Sequence, residues 1–168
     1  MRLFIAIRLS DEIKAGLSSV QSFLKNHGVR GNFTKLENLH LTLAFIGEYT
    51  DPERVLDAMR SIPFEPFQIR LEGFGSFGAL YWCGLGESAA LSAYTKRLRR
   101  ALAESGIPFD RKKFSPHITL IRGASFDKNR AFPGMTIPDA AMNVERVSLI
   151  RSDRTKSGMV YTEIGRVQ

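Results

Sequence analysis

Cysteine and histidine are scarce in this chain. A single cysteine, Cys83, excludes any intrachain disulfide, and the expectation that follows is a reducing, cytoplasmic setting. Only three histidines are present, His27, His40 and His117. No CxxC, HxxxH or HExxH spacing can be built from these four residues, so the sequence offers no metal-ligand set and no cofactor is expected. Long apolar runs are also missing. The opening stretch Leu3–Leu9 is broken by Arg8 and followed by Asp11 and Glu12, too short for a signal-peptide core with a cleavage site. Nothing approaches the ~20 apolar residues of a membrane span, so no membrane partner is expected.

The 168 residues are 43% hydrophobic and 24% charged, which excludes a disordered or fibrous chain. They suffice for a single domain, or for one domain of two similar lobes, burying roughly two-thirds of the unfolded surface without a covalent staple. Against 24 lysines and arginines stand 17 acids, a net charge of +7. That balance favours anionic partners, nucleic acid first, then small anions, then membrane surfaces. No feature suggests an interface between copies, and a monomer is the expectation.

Residues 2–9 read as a strand, with Leu3, Ile5, Ile7 and Leu9 on one face and Phe4, Ala6 and Arg8 on the other. Ser10 can cap a helix that opens on Asp11 and Glu12, runs through Leu17, Val20, Phe23 and Leu24, and closes at Gly28. Residues 39–46 form a second strand. Asp51-Pro52 opens a helix to about Arg60. Strands are predicted over 67–73 and 79–84, a long helix from about Glu87 to Glu104, and a strand over 114–122. A polar loop with Pro133 and Pro138 follows, then a final strand pair over 141–151 and 157–167. Helices alternating with hairpin-like strand groups favour an α+β fold.

One short pattern occurs twice, His40-Leu41-Thr42-Leu43 and His117-Ile118-Thr119-Leu120. In a strand, residues two apart share a face about 6.6 Å apart along the backbone. Each copy therefore presents an imidazole and a hydroxyl side by side, while Leu41 and Ile118 point into a core. An imidazole with a pKa near 6.5 serves as acid or base at neutral pH. Two of them on either side of one phosphorus can run an in-line displacement, with threonine hydroxyls donating to the phosphoryl oxygens. A lone His-x-Thr is a weak signal; two copies that use two of three histidines are a strong one. His27, before Gly28, reads instead as a helix C-terminal residue, and Cys83 as a small buried strand residue.

These residues resemble the two-histidine (2H) phosphoesterase superfamily, whose signature is a pair of His-x-Thr/Ser-x motifs. The match is closest to the RNA 2′,3′-cyclic phosphodiesterases, the LigT-like or 2′-5′ RNA ligase family. The likeness is carried by the RLFIAI strand, ENLHLTLAFIGE (Glu37–Glu48), LYWCGL (Leu80–Leu85), FSPHITLIR (Phe114–Arg122) and SLIRSDRTKSGMVY (Ser148–Tyr161). It implies a bilobal α+β fold with pseudo-twofold symmetry, in which two lobes of mainly antiparallel sheet with outer helices flank a central cleft. It also implies hydrolysis of a terminal ribose 2′,3′-cyclic phosphate on RNA to a 2′-phosphomonoester. On this likeness His40 is the proton donor, His117 the proton acceptor, and Thr42 and Thr119 hold the phosphate. Arg122, five residues after His117, is a phosphate contact. Phe45, five after His40, is a base-stacking or a core residue. Arg8 departs from the pattern, because many relatives have an acidic or neutral residue there.

Around the long helix and the second motif, Lys96, Arg97, Arg99, Arg100, Arg111, Lys112 and Lys113 are basic. The first four read as a solvated helix face; the last three divide evenly between that reading and a track for the RNA backbone. Two other readings compete with hydrolysis at RNA ends. One keeps the chemistry on a small cyclic nucleotide, such as a cyclic phosphate of ADP-ribose or 2′,3′-cyclic NMP. The other is an RNA-binding module without turnover. By microscopic reversibility the same histidines could also form a 2′-5′ RNA bond as a side activity.

Overall fold

The computed structural model describes residues 1–125 and 132–168. Part of the expected polar loop before Pro133 lies outside those residues. The described elements are β1 (Arg2–Arg8), α1 (Asp11–Asn26), β2 (Arg30–Phe33), a 3₁₀ turn (Leu36–Asn38), β3 (His40–Glu48), α2 (Pro52–Arg60), β4 (Phe67–Phe77), β5 (Leu80–Leu85), α3 (Ala89–Glu104), β6 (His117–Ser125), β7 (Ala141–Val144), β8 (Val147–Thr155) and β9 (Gly158–Val167). The helices start where the sequence supplies a cap. Ser10 Oγ accepts from the Ile13 amide, Asp51 Oδ1 from Arg54 and Ser88 Oγ from Leu91, each a cap worth about 1 kcal/mol.

The strands form two sheets, β3-β1-β8-β9 and β2-β6-β5-β4-β7, with every described pairing antiparallel. The α+β expectation therefore holds. Helix α1 follows a strand of the first sheet yet packs on β6 and β7 of the second, while α2 packs on β9 and on α3, and α3 reaches β3 and β4. One continuous core joins both sheets and all three helices, built from Leu3, Ile5 and Ile7 of β1, Leu41 and Leu43 of β3, and Ile118 and Leu120 of β6. Phe4, Ala6 and Ile150 form a separate small cluster on the opposite face of the first sheet, with Phe45 and Tyr161 against it. Both faces of β1 are thus covered. Among the described residues no helix is long and apolar enough to cross a membrane.

Four differences from the sequence reading have physical causes. The final pair is three strands: β7 turns away at Glu145-Arg146 and joins β4 in the other sheet. Strand β4 continues through Phe77, because a register shift between Leu71 and Phe74 absorbs the break expected at Gly73. The strand expected over 114–122 begins only at His117, after Pro116, and runs on to Ser125. Strand β2 carries no apolar alternation in its RGNF sequence and shows no signal of its own; it pairs along β6.

Candidate active site

The two motifs open two strands in the same way. In β3 and in β6 the first five residues follow one burial sequence: half-buried, buried, half-buried, buried, buried. His40 and Thr42 share one face of β3, His117 and Thr119 one face of β6, and the residues between them enter the core. Strict alternation would send the residue five after each histidine to the core side. It does not, because each strand carries an extra residue at the same place. Ala6 pairs with Thr42 and Ile5 with Ala44, leaving Leu43 unpaired; Trp82 pairs with Thr119 and Tyr81 with Ile121, leaving Leu120 unpaired. These bulges bury two consecutive residues, Leu43-Ala44 and Leu120-Ile121, and return Phe45 and Arg122 to the histidine face.

A side chain from a helix holds each bulge. Gln21, buried on α1, donates through Nε2 to Leu120 O and to Thr34 O, 2.9 Å each. Arg99 on α3 donates through Nε to Leu43 O at 3.0 Å and through Nη1 to Lys112 O at 2.7 Å. Arg99 also lies over the Phe109 and Phe114 rings. It is thus no part of a solvated helix face, as its sequence neighbours suggested; it ties β3 to the segment that leads into β6. Among the described residues, Lys96, Arg97, Arg111, Lys112 and Lys113 make no such head-group hydrogen bonds, and Arg111 lies over Phe109 at 4.7 Å.

The imidazoles are oriented alike. His40 Nδ1 donates to Asn38 O at 2.6 Å and His117 Nδ1 to Ser115 O at 2.7 Å, the carbonyl two residues upstream in each case. A carbonyl can only accept, so each Nδ1 carries its proton and each Nε2 is left for chemistry. Asn38 is anchored by its own Nδ2, which donates to Met159 O on β9 at 2.9 Å. Around His40 stand Phe4, at 4.9 Å between ring centroids, and Tyr161 at 5.2 Å. Around His117 stand Phe77 at 5.1 Å and Trp82 at 6.3 Å.

The halves also meet electrostatically. Burial pushes the His40 pKa below its ordinary value; the hydrogen bond to Asn38 opposes this, and the charges of Arg122 and His117 add to it. Arg122 and His117 stand on β6 and His40 on β3, so these three groups of the sequence-predicted set share one electrostatic field. Thr42 and Thr119 sit half-buried beside their histidines. Phe45 is also half-buried, packed on the Phe4 cluster with the Arg2 guanidinium 5.0 Å above its ring, so the core alternative describes only one side of it. Arg8 pairs directly opposite His40 in the β1–β3 ladder and is exposed.

The remaining imidazole and the one thiol, His27 and Cys83, are structural. His27 caps α1, stacks on Phe23 at 3.9 Å and bonds the Phe23 carbonyl through Nδ1 at 2.8 Å. Cys83 is fully buried, with its thiol pushed up to about 12 by burial. Among the described residues no group of three or more histidine, cysteine, aspartate and glutamate side chains comes together. Tyr161, Phe77, Trp82 and Gln21 were not singled out by the sequence, and Arg99 was read there only as part of a solvated helix face. Consecutive apolar pairs after each motif, Leu43-Ala44 and Leu120-Ile121, were the available signal for the bulges that Gln21 and Arg99 hold.

This arrangement matches known proteins over its whole length. Residues 9–156 match the family model of the 2′-5′ RNA ligase superfamily. A Thermotoga maritima protein named RNA 2′,3′-cyclic phosphodiesterase is 30% identical, with 96% of this chain and 91% of the relative covered. A protein of the same name from Methanothermobacter thermautotrophicus is 28% identical, covering 98% and 96%. Among solved structures, E. coli LigT in its apo form superposes with a TM-score of 0.81 at 28% identity, over 99% of this chain and 95% of that one. LigT complexed with 3′-AMP gives a TM-score of 0.78 at the same identity and coverage.

Proposed function

The chain belongs to the 2′-5′ RNA ligase superfamily, and from that premise and the geometry above we propose that it opens the 2′,3′-cyclic phosphate at an RNA end to a 2′-phosphomonoester. The observation that carries the reading is the matched presentation of His40 and His117, each fixed through Nδ1 and each leaving Nε2 open. His117 Nε2 takes a proton from water as the water oxygen attacks phosphorus. The bond from phosphorus to the 3′ oxygen breaks on the opposite side, and His40 Nε2–H protonates the departing oxygen. One P–O bond forms, one breaks, and a proton passes from His117 to His40 through solvent before the next turnover. Thr42, Thr119 and Arg122 hold the phosphoryl oxygens, and Phe45 lines the cleft on the His40 side.

The depressed pKa of His40 fits this assignment once substrate is bound. In the free protein, burial and then the charge of Arg122 favour neutral His40, and a proton on His117 adds to this. An incoming phosphate anion offsets the Arg122 charge and favours the imidazolium that the acid role needs. Names of the relatives support the substrate, because they are called RNA 2′,3′-cyclic phosphodiesterases, and the net charge of +7 suits a polyanion.

An oligoribonucleotide ending in a 2′,3′-cyclic phosphate tests the proposal, incubated with the protein in EDTA and followed by end-group analysis. A 2′-phosphate end is expected, with His40→Ala and His117→Ala each losing about 10²–10⁴ in rate. Salt-sensitive binding without turnover would overturn the reading in favour of a binding module.

A further inference from the structure

Around the two histidines the aromatic neighbours are not equivalent. Phe4, beside His40, is 4% exposed and packs against His40 and Tyr161. Phe77, beside His117, is 51% exposed. It is the last residue of β4 before the Gly78-Ala79 turn, and it meets both Trp82 (5.4 Å between centroids) and the imidazole edge-on at 5.1 Å. If Phe77 served only to steady His117, a buried ring would do so as well, and half of this one faces outward.

Trp82 is laid down by the absence of side chains rather than by a polar contact. Its Nε1 has no hydrogen-bond partner among the described residues. A Cβ on Gly75, its cross-strand partner, would lie 2.4 Å from the indole, and one on Gly84 would lie 3.3 Å from it. Trp82 pairs with Thr119 and Gly84 with His117, so the indole lies on the same face of the sheet as the second motif. Glycines at 75 and 84 give the ring room to lie across the sheet beside the histidine, with Phe77 extending the aromatic surface to the rim.

We propose that Phe77 and Trp82 form a stacking platform for the nucleobase of the nucleotide whose phosphate lies at His117. The inference rests on the cyclic-phosphate reading and places the base on the His117 side, where the sequence had offered Phe45, on the His40 side, as a stacking or core residue. A base is one ribose away from its own cyclic phosphate, and an aromatic platform without aimed hydrogen-bond donors accepts any of the four bases. The subsite therefore selects nucleotides over other phosphate esters without selecting among bases.

Trp82 is the one tryptophan in the chain, so its fluorescence reports on the platform directly. In the binding experiment the full-length protein is titrated with adenosine 2′-monophosphate and, separately, with ribose 5-phosphate. Quenching of Trp82 is expected with the adenylate alone. Phe77→Ala should weaken adenylate binding by about five- to a hundredfold, and Phe77→Tyr should restore it. In the kinetic experiment, adenosine 2′,3′-cyclic phosphate is compared with the abasic methyl riboside 2′,3′-cyclic phosphate. The ratio of their kcat/KM values should exceed one in the native protein and fall toward one in Phe77→Ala, chiefly through KM. Equal affinity for the two titrants, or an unchanged ratio in Phe77→Ala, would overturn the platform. Base-dependent quenching without turnover of either ester would instead remove the phosphodiesterase reading and leave the platform standing.

Discussion

His40 and His117 each hold Nδ1–H on a backbone carbonyl, so neither imidazole can swap the roles of its nitrogens without losing that bond. What differs between them is the field. His40 is pushed below its ordinary pKa by burial first, then by Arg122 and His117, against the opposing hydrogen bond to Asn38. Removing the Arg122 charge relieves part of the push: Arg122→Gln should move the His40 titration upward, and inorganic phosphate should do the same in the native protein. Both shifts are readable from the imidazole Hε1 resonances. The same depression has a stability consequence. Folding lowers the proton affinity of His40, so the unfolded chain binds protons more tightly there. The contribution is fully present above pH ~6.5 and is lost as the pH falls from there toward the lower folded-state pKa. Urea midpoints of His40→Asn should therefore fall less steeply between pH 7.5 and 5.5 than those of the native protein. At this scale the sequence was most informative, because a duplicated His-x-Thr needs only strand periodicity to define a shared face. Tyr161 was illegible by the same means: it reaches His40 from β9 at the other end of the chain, and no local pattern encodes that contact.

At the scale of elements, the bulges decide whether Arg122 belongs to the site. Without the bulge at Leu120, strict alternation along the same residues would bury the guanidinium of Arg122 and expose Ile121. The helix side chains that take the bulge carbonyls therefore carry functional weight without touching a phosphate. Gln21→Leu leaves the Thr34 carbonyl without its Nε2 donor and removes one of two donors from Leu120 O, which keeps the Thr34 amide. A loss of about 1–3 kcal/mol is expected in urea denaturation. Because Arg122 follows the bulge by two residues, KM for the cyclic phosphate should rise while kcat changes little. A matched fall in kcat with constant KM would place the effect on the histidines instead. Arg99→Lys retains the charge but not the two-pronged contact to Leu43 and Lys112, and should not restore what Arg99→Met loses. The helices themselves were legible from Ser10 and Asp51-Pro52 at two of their starts and from apolar spacing; the Ser88 cap of α3 was not singled out. The bulges were only half legible, since two adjacent apolar residues break the alternation without saying which way the next side chain turns.

For the whole molecule, one sheet brings the first and last strands of the chain together. Strand β1 lies between β3 and β8, so the first motif is buttressed by the N-terminal and C-terminal segments together. Sheet membership is a tertiary fact, which is why β7 and β8 read as one strand in sequence and why α1 could not be assigned to the sheet opposite the strand it follows. The charge of the molecule was legible at once, and it carries its own expectation. With a net +7, KM for an oligoribonucleotide ending in a cyclic phosphate should climb more steeply with added salt than KM for a cyclic mononucleotide, because the longer substrate releases more counterions on binding.

In the proposed displacement one imidazole gives a proton while the other takes one. The pH dependence of kcat/KM for a 2′,3′-cyclic-ended substrate separates the two roles when the native protein is compared with His40→Asn and His117→Asn. A bell is predicted for the native protein, with each variant slower by about 10²–10⁴ and each losing a different limb. Retention of the full bell in both variants, or near-native rates in either, would contradict the account.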